Sequence, residues 1–488
     1  MKEYLKKIDD VIAQGYYKDT WESLSQKQVP VWFRKAKLGI FIHWGPYCVP
    51  AKTNEWYSRN MYIKGMPAYE YHVETYGEQK NFGYQDFIPM FTAEHFNPNE
   101  WAELIKESGA NYVFPVAEHH DGFQMYKSRF SKWNAVEMGP KRDILGELKE
   151  ACCEKGIVFC TSSHRAEHWF FMGHGKEFDS DIKEPMKRGD FYWPAMPEPD
   201  NSDLFSEPYP NEEFLQDWLV RTCEIIDEYQ PRALYFDWWI QHVAFKPYLK
   251  KLVAYYYNRG IQWDEEVIVC YKYDAMMFGS GVVEVERGHF SDMKPFYWQT
   301  DTSTAYNSWC YTVDNEYKKP MDVIYEFIDV VSKNGNLLLN IGPKSDGTFP
   351  EQDKEILKEL GTFLRQTGEA YFGAGIWKKY GEGPHKTVEG HFSENNAQEY
   401  SSEDIRFTVK ENHLYATVMV FPENKIVNIR SLNRAKDMNQ STFHGIIETV
   451  EALGFEEELN WEQNENGLLI KSQTISSNYP VVFKITVN

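Results

Sequence analysis

The sequence predicts an α/β chain: a (β/α)8-like, TIM-type barrel over residues 1–377 followed by a C-terminal antiparallel β-sandwich over 378–488. Three patterns carry that prediction. Runs that are apolar throughout, such as Gly39-Ile40-Phe41-Ile42, read as strands buried on both faces, as in a parallel sheet covered by helices. Such runs alternate with helical spacing through about eight strand–helix units, the number a closed barrel needs. After Trp377 the helical spacing gives way to alternating apolar and polar residues broken by Asn, Gly, Glu and Ser clusters, the pattern of an antiparallel sandwich. A doubly wound open sheet is the main rival to the barrel.

The first strand is expected at 39–42. A helix then starts at Pro98 with Asn97 as its N-cap, because a missing N–H costs nothing at the first helical position. Trp101, Leu104 and Ile105 share one face of it, Gly109 ends it, and a strand follows at 112–117. The cycle repeats as helix 143–155 closed by Gly156 and strand 158–162, then helix 213–229 stopped before Pro231 and strand 233–237. Residues 173–213, rich in Pro, Asp and Glu, read as a long loop inserted after the third strand. Helix 247–257 precedes strands 267–271 and 282–286, and a poorly marked strand falls near 296–298. Helix 321–332, strand 336–341 and helix 350–366 close the series. The sandwich strands are expected at 405–409, 415–420, 427–429, 468–470 and 481–487, and no internal repeat is seen.

The formal charge of -21 over 488 residues leaves no basic face for a phosphate backbone, which excludes nucleic acid as a partner on electrostatic grounds. No apolar stretch reaches the ~18 residues of a membrane span, and the first ten residues lack the apolar core of a signal peptide. A cytoplasmic location without membrane contact is therefore expected, and the chain admits a homo-oligomer. The seven cysteines form no C-x-x-C pair and several lie in apolar runs, where a thiol packs as a small hydrophobe. With 16 Trp and 32 Tyr, many beside polar residues at strand ends, the chain has the flat surfaces that sugar rings stack on; burial in a large core is the plainer explanation.

In a parallel barrel the side chains just past the strand ends face the active site. Asp237 ends the run Leu234-Tyr235-Phe236 and could serve as a nucleophile or base, or merely as a helix cap or ion-pair partner. Glu284 and Glu286, two apart in an extended segment, share one face. Carboxyls from separate strand ends can hydrolyse a glycoside if they converge to about 5 Å. His43, His119, His120, His164 and His168 also cluster at strand ends. With Glu118 or Asp121 they could ligate zinc. Adjacent His119 and His120 should diverge on extended backbone, however, and no H-E-x-x-H is present, so hydrogen bonding to a polyol is the favoured reading and no metal or cofactor is expected.

Together these motifs resemble the retaining alpha-L-fucosidases of glycoside hydrolase family 29. The matching segments run in family order: Trp32-Phe33-Arg34 through His43-Trp44-Gly45, Asn54-Glu55-Trp56-Tyr57, His119-His120-Asp121-Gly122-Phe123, Lys141-Arg142-Asp143 and Phe236-Asp237. Asn336-Leu337-Leu338-Leu339-Asn340-Ile341-Gly342-Pro343, Asp346-Gly347 and Gly368-Glu369-Ala370-Tyr371 complete the set. The resemblance implies a barrel followed by a sandwich, no metal, a fucosylated oligosaccharide or glycoconjugate as substrate, and Asp237 as the nucleophile that forms a covalent fucosyl-enzyme. It further implies that His43, Trp56, His119 and His120 bind fucose, with Glu55 matching in a loop that varies.

Three positions depart from the family pattern. His164 stands in a strand that usually carries a Tyr pair, and Tyr235 stands where Trp is common, keeping an aromatic wall. Gln299 stands in a segment that carries a Glu in many members. An amide cannot donate and recover a proton, so the acid/base is expected elsewhere: Glu286 first, Glu284 as the alternative. A non-catalytic fucose-binding protein and an alpha-L-galactosidase on the same scaffold are the alternative functions.

Overall fold

The computed structural model describes residues 1–394, 398–435, 437, 439 and 443–488. Nine strands form one all-parallel sheet: β1 (Leu38–Ile42), β2 (Tyr112–Glu118), β3 (Val158–Phe159), β4 (Thr161–Ser163), β5 (Ala233–Phe236), β6 (Ile268–Tyr271), β7 (Val282–Glu286), β8 (Trp298–Ser303) and β9 (Gly335–Ile341). β1 pairs with both β2 and β9, so the sheet closes on itself. β3 and β4 are one stave interrupted at Cys160, whose N–H still bonds the Val113 carbonyl. The result is the eight-stave barrel expected from the sequence.

The helix signals act locally as their chemistry predicts. The Asn97 side chain accepts from the amides of Asn99 and Glu100 to start helix Pro98–Glu107, and Asn211 caps Glu212–Tyr229 through the Phe214 amide. Asp143 is a cap rather than a helical residue, accepting from Gly146 N ahead of Ile144–Glu154. A side-chain acceptor at each cap satisfies donors that the helix itself cannot.

The eighth stave differs most from expectation. It runs over Trp298–Ser303 rather than ending at 298, and its residues Gln299, Thr300, Asp301 and Thr302 are buried although polar. Gln299 and Asp301 face a polar layer inside the barrel, while Thr300 and Thr302 on the other face bond the Val285 carbonyl and Glu394, so an apolar-run criterion passes them over. Within that layer the Tyr112 hydroxyl donates to Gln299 Oε1 (2.6 Å), and Gln299 Nε2 donates to Glu284 Oε2 (2.9 Å). Tyr112 reaches across only because residue 39 is glycine: a Cβ there would lie 2.1 Å from its ring.

The helices ahead of Pro98 were not expected, whereas the inserted segment is the long loop expected. Helix Lys2–Gln14 buries Tyr4, Ile8 and Ile12, and the Tyr4 hydroxyl bonds the Cys223 carbonyl of helix Glu212–Tyr229. Residues 173–213 hold only a 3-10 turn at Gly173–Lys176 before the helix at Glu212, but they bury Phe191, Tyr192 and Trp193. Among the described residues no helix is long and apolar enough to cross a membrane.

The C-terminal part forms two antiparallel sheets. One is ordered β10 (Gly381–Glu382), β11 (Ile405–Lys410), β12 (His413–Val418), β17 (Val481–Val487), β14 (Ile447–Ala452). The other is β13 (Ile426–Ile429), β16 (Gly467–Lys471), β15 (Asn460–Asn464). Phe407, Ala416, Ile429, Leu468, Ile470 and Phe483 pack from both sheets into one core. β14 and β15 went unread because their exposed faces carry Glu, Thr and Asn, which break the apolar signal.

Candidate active site

A cavity of about 390 Å³ opens where the barrel strands end, lined by residues from β1, β2, β4, β5, β6, β7 and β8 or the loops just beyond them. His43, Glu55, Trp56, His119, His120, His164, Tyr235, Asp237 and Glu286 all line it; Glu284 does not. The reason is register. Residues i and i+2 of a strand point to the same side but stand about 6.6 Å apart in height. β7 and β8 pair Glu284 with Gln299 and Glu286 with Asp301. Glu284 and Gln299 therefore lie one layer down, inside the barrel, while Glu286 and Asp301 reach the cavity. Burial, with the Asp301 carboxylate, pushes Glu284 well above the usual carboxylate range. The amide at 299 thus leaves the carboxyls of the cavity intact.

Lys272, which follows β6, organises those carboxyls and went unread in the sequence. Its buried ammonium lies 2.9 Å from Asp237 Oδ1, 2.7 Å from Glu286 Oε2 and 3.7 Å from Asp301 Oδ2. Burial opposes the charge, but these carboxylates outweigh it and hold Lys272 well above the ordinary ammonium value. Asp237 also receives the Trp238 amide on Oδ1 (2.8 Å), with His120 Nε2 (3.3 Å) and His164 Nδ1 (3.2 Å) at Oδ2. Burial would raise its pKa, yet Lys272 and the two imidazoles hold it well below the carboxylate range. Glu286 goes the other way. Burial, only partly offset by Lys272 and reinforced by Asp237 and Asp301, pushes it up to about 7. One buried cation thus joins a carboxylate that stays ionised to a carboxyl that keeps its proton near neutrality, the division of labour that acid–nucleophile pairs require.

The histidines present defined edges. Asn340 Nδ2 donates to the Trp309 carbonyl (2.6 Å), which turns its Oδ1 toward His43 Nδ1 (2.7 Å). That bond places the His43 proton on Nδ1 and leaves Nε2 as an acceptor. Burial and neighbouring His164 lower the His43 pKa, so the ring is neutral. Burial also lowers His164, to about 4; its Nδ1 donates to Asp237 and its Nε2 accepts from the Ser162 hydroxyl (3.0 Å). Glu55 Oε2 accepts from the Trp309 amide (2.9 Å), and the Trp56 ring packs edge-on against His120 and Phe171. Tyr235 donates to Asp301 Oδ2 (2.7 Å), fixing the wall beneath Lys272.

His119 and His120 do not diverge as expected. β2 ends at Glu118, so both lie in a turn and both rings line the cavity, 4.3 Å apart. His168 is not in the cavity; it bridges the His120 carbonyl to that of Phe191 in the inserted loop. Among the described residues, His43, His119 and His164, or His120, His164 and Asp237, offer ligand atoms within 4.8 Å of one another, a grouping that could bridge a metal ion.

The alpha-L-fucosidase family profile matches residues 5–369, and that of the alpha-L-fucosidase C-terminal domain matches residues 398–486. The chain is 29% identical to the tissue alpha-L-fucosidase of Mus musculus over 486 residues, covering 98% of this chain and 95% of that one. It is 28% identical to the plasma alpha-L-fucosidase of Homo sapiens over 474 residues, covering 93% and 87%. Its structure is similar to that of the Thermotoga maritima alpha-fucosidase in complex with fucose, with a TM-score of 0.75 and 31% identity over 96% of this chain and all of that one.

Proposed function

The chain belongs to the alpha-L-fucosidase family, and from that premise we propose that it is an exo-acting glycosidase releasing α-L-fucose from fucosylated glycans, with retention, through a covalent fucosyl-enzyme. The observation that carries the retaining reading is the shared contact on Lys272. Asp237 Oδ1 and Glu286 Oε2 touch the same Nζ, so they lie apart by at most the sum of those two distances, about 5.6 Å. Retaining pairs stand ~5–5.5 Å apart, whereas inverting pairs need ~6.5–9.5 Å to admit a water.

In this reading the histidines, Glu55 and Trp56 hold the sugar while the Asp237 carboxylate attacks the anomeric carbon. The bond to the leaving oxygen breaks as that oxygen takes the Glu286 proton. Once Asp237 is esterified its charge is gone, and with it one of the influences holding the Glu286 proton on. The resulting Glu286 carboxylate then takes a proton from water, whose oxygen attacks the anomeric carbon and frees Asp237.

The test is Asp237→Ala on an aryl α-L-fucoside. Turnover should vanish and return in part with azide, as a glycosyl azide; wild-type turnover in the variant would refute the assignment. Proton NMR of the first-formed product from the native enzyme should show α-fucose, and a β anomer would rule out retention.

A further inference from the structure

Beyond the last barrel helix, Glu351–Thr367, the chain contributes β10 to the sandwich and then returns across the end of β7 before β11. Gly390 N–H bonds the His289 carbonyl (3.0 Å), Phe392 N–H the Glu286 carbonyl (2.8 Å) and Glu394 N–H the Arg287 carbonyl (3.1 Å). His391 Nδ1 accepts the Glu286 amide (3.0 Å), so this strap holds both backbone groups of Glu286. The approach requires glycine at 288, where a Cβ would lie 1.8 Å from the Gly390 carbonyl oxygen. An ion pair from Arg287 to Glu394 (2.8 Å), shared with Lys318 (2.8 Å), anchors the strap.

Two aromatic side chains result, both lining the cavity and both exposed. Phe392 is 56% exposed and sits at φ 55°, a left-handed conformation that is costly for a bulky residue and marks sites where the surroundings impose it. Tyr273 is 41% exposed and stacks on His391, with ring centroids 4.3 Å apart and planes 20° from parallel. Neither ring is spent on the core.

We propose that Phe392 and Tyr273 form the platform for the leaving group, a hexopyranose that presents a continuous C–H face to the rings. The inference rests on Glu286 being the acid: the acid stands beside the glycosidic oxygen it protonates, so the aglycone leaves over the strap that holds Glu286. An aromatic face buries such a ring edge without demanding a particular hydroxyl pattern. A segment from outside the barrel thereby joins Tyr273, just past β6, in holding the leaving sugar.

The experiment measures kcat/KM for a fucosyl disaccharide and for α-L-fucosyl fluoride, whose leaving group has no ring to stack. Phe392→Ala should lower the disaccharide-to-fluoride ratio about tenfold, which corresponds to about 1.4 kcal/mol, and Phe392→Trp should restore it. An unchanged ratio, whether both substrates lose equally or neither does, overturns the platform. Glu286→Ala on the same pair tests the acid separately. A loss far larger on the disaccharide supports it, and an equal loss refutes it, whatever Phe392 does.

Discussion

Replacing Lys272 by Met removes the ammonium that touches both proposed catalytic carboxyls while keeping most of the side-chain volume. At an effective dielectric of about 20, a unit charge at the 2.7–2.9 Å separations seen here interacts with each carboxylate by about 6 kcal/mol. If side-chain relaxation and entering water cancel half of that, each carboxyl still gains about 2 pH units of proton affinity, at 1.36 kcal/mol per unit. The signs follow from the roles. Glu286 must hold a proton, so activity is lost as pH rises through its value of about 7; without Lys272 that limb moves up by about 2 units. Asp237 must be ionised, so activity is lost as pH falls through its depressed value; without Lys272 that limb moves up as well. The assay is the pH profile of kcat/KM on a fucoside with a poor leaving group. The plateau should fall on the order of 10²-fold, and Lys272→Arg, which keeps the charge, should keep both limbs in place. Breaking a buried pair costs about 3–5 kcal/mol of stability, so cooperative urea unfolding of the variant must be verified. A folded Lys272→Met enzyme whose limbs stay where they were would refute the idea that this cation sets the two proton affinities.

Two other perturbations test the layering of the carboxyls and of the barrel interior. Glu286→Gln should erase the alkaline limb and slow poor leaving groups by about 10²–10⁴-fold while sparing activated ones; Glu284→Gln, one layer down, should leave the leaving-group dependence intact, and a kinetic comparison across aryl fucosides separates the two. Gly39→Ala would drive a Cβ into the Tyr112 ring and should cost at least about 1–3 kcal/mol, read as a lower urea midpoint with an unchanged slope; an unshifted midpoint would mean that the Tyr112 layer yields freely.

The barrel was legible because its signals are local and redundant: an apolar run, a cap such as Asn97, and a Gly or Pro stop recur in several units. Asp237 was legible for the same reason, as a charge closing the run Leu234-Tyr235-Phe236. What escaped were residues whose environment is polar. The strand marked near 296–298 is not legible into 299–303 because its inward side chains, Gln299, Asp301 and Ser303, bond other polar groups inside the barrel, and without that stretch the partnership of Asp301 with Glu286 could not be inferred. Lys272 had a usable signal, since it directly follows the run Ile268–Tyr271, but a lysine at a strand end is ordinarily solvated. Only the convergence of Asp237, Glu286 and Asp301, from the ends of three separate strands, makes burial of its charge tolerable.

That convergence also explains why Glu286 and Glu284, chemically identical and two residues apart, have different prospects. Both are raised by burial, yet Glu286 shares a cation with an ionised carboxylate at a cavity, so its proton can leave and return at neutral pH. Glu284 has a glutamine amide for a partner and no opening to the cavity. The choice between them therefore turns on strand register rather than on residue type. Register in turn places Glu286 where a strap more than a hundred residues onward can grip its backbone, coupling the proposed acid to a part of the chain that barrel periodicity alone would never single out.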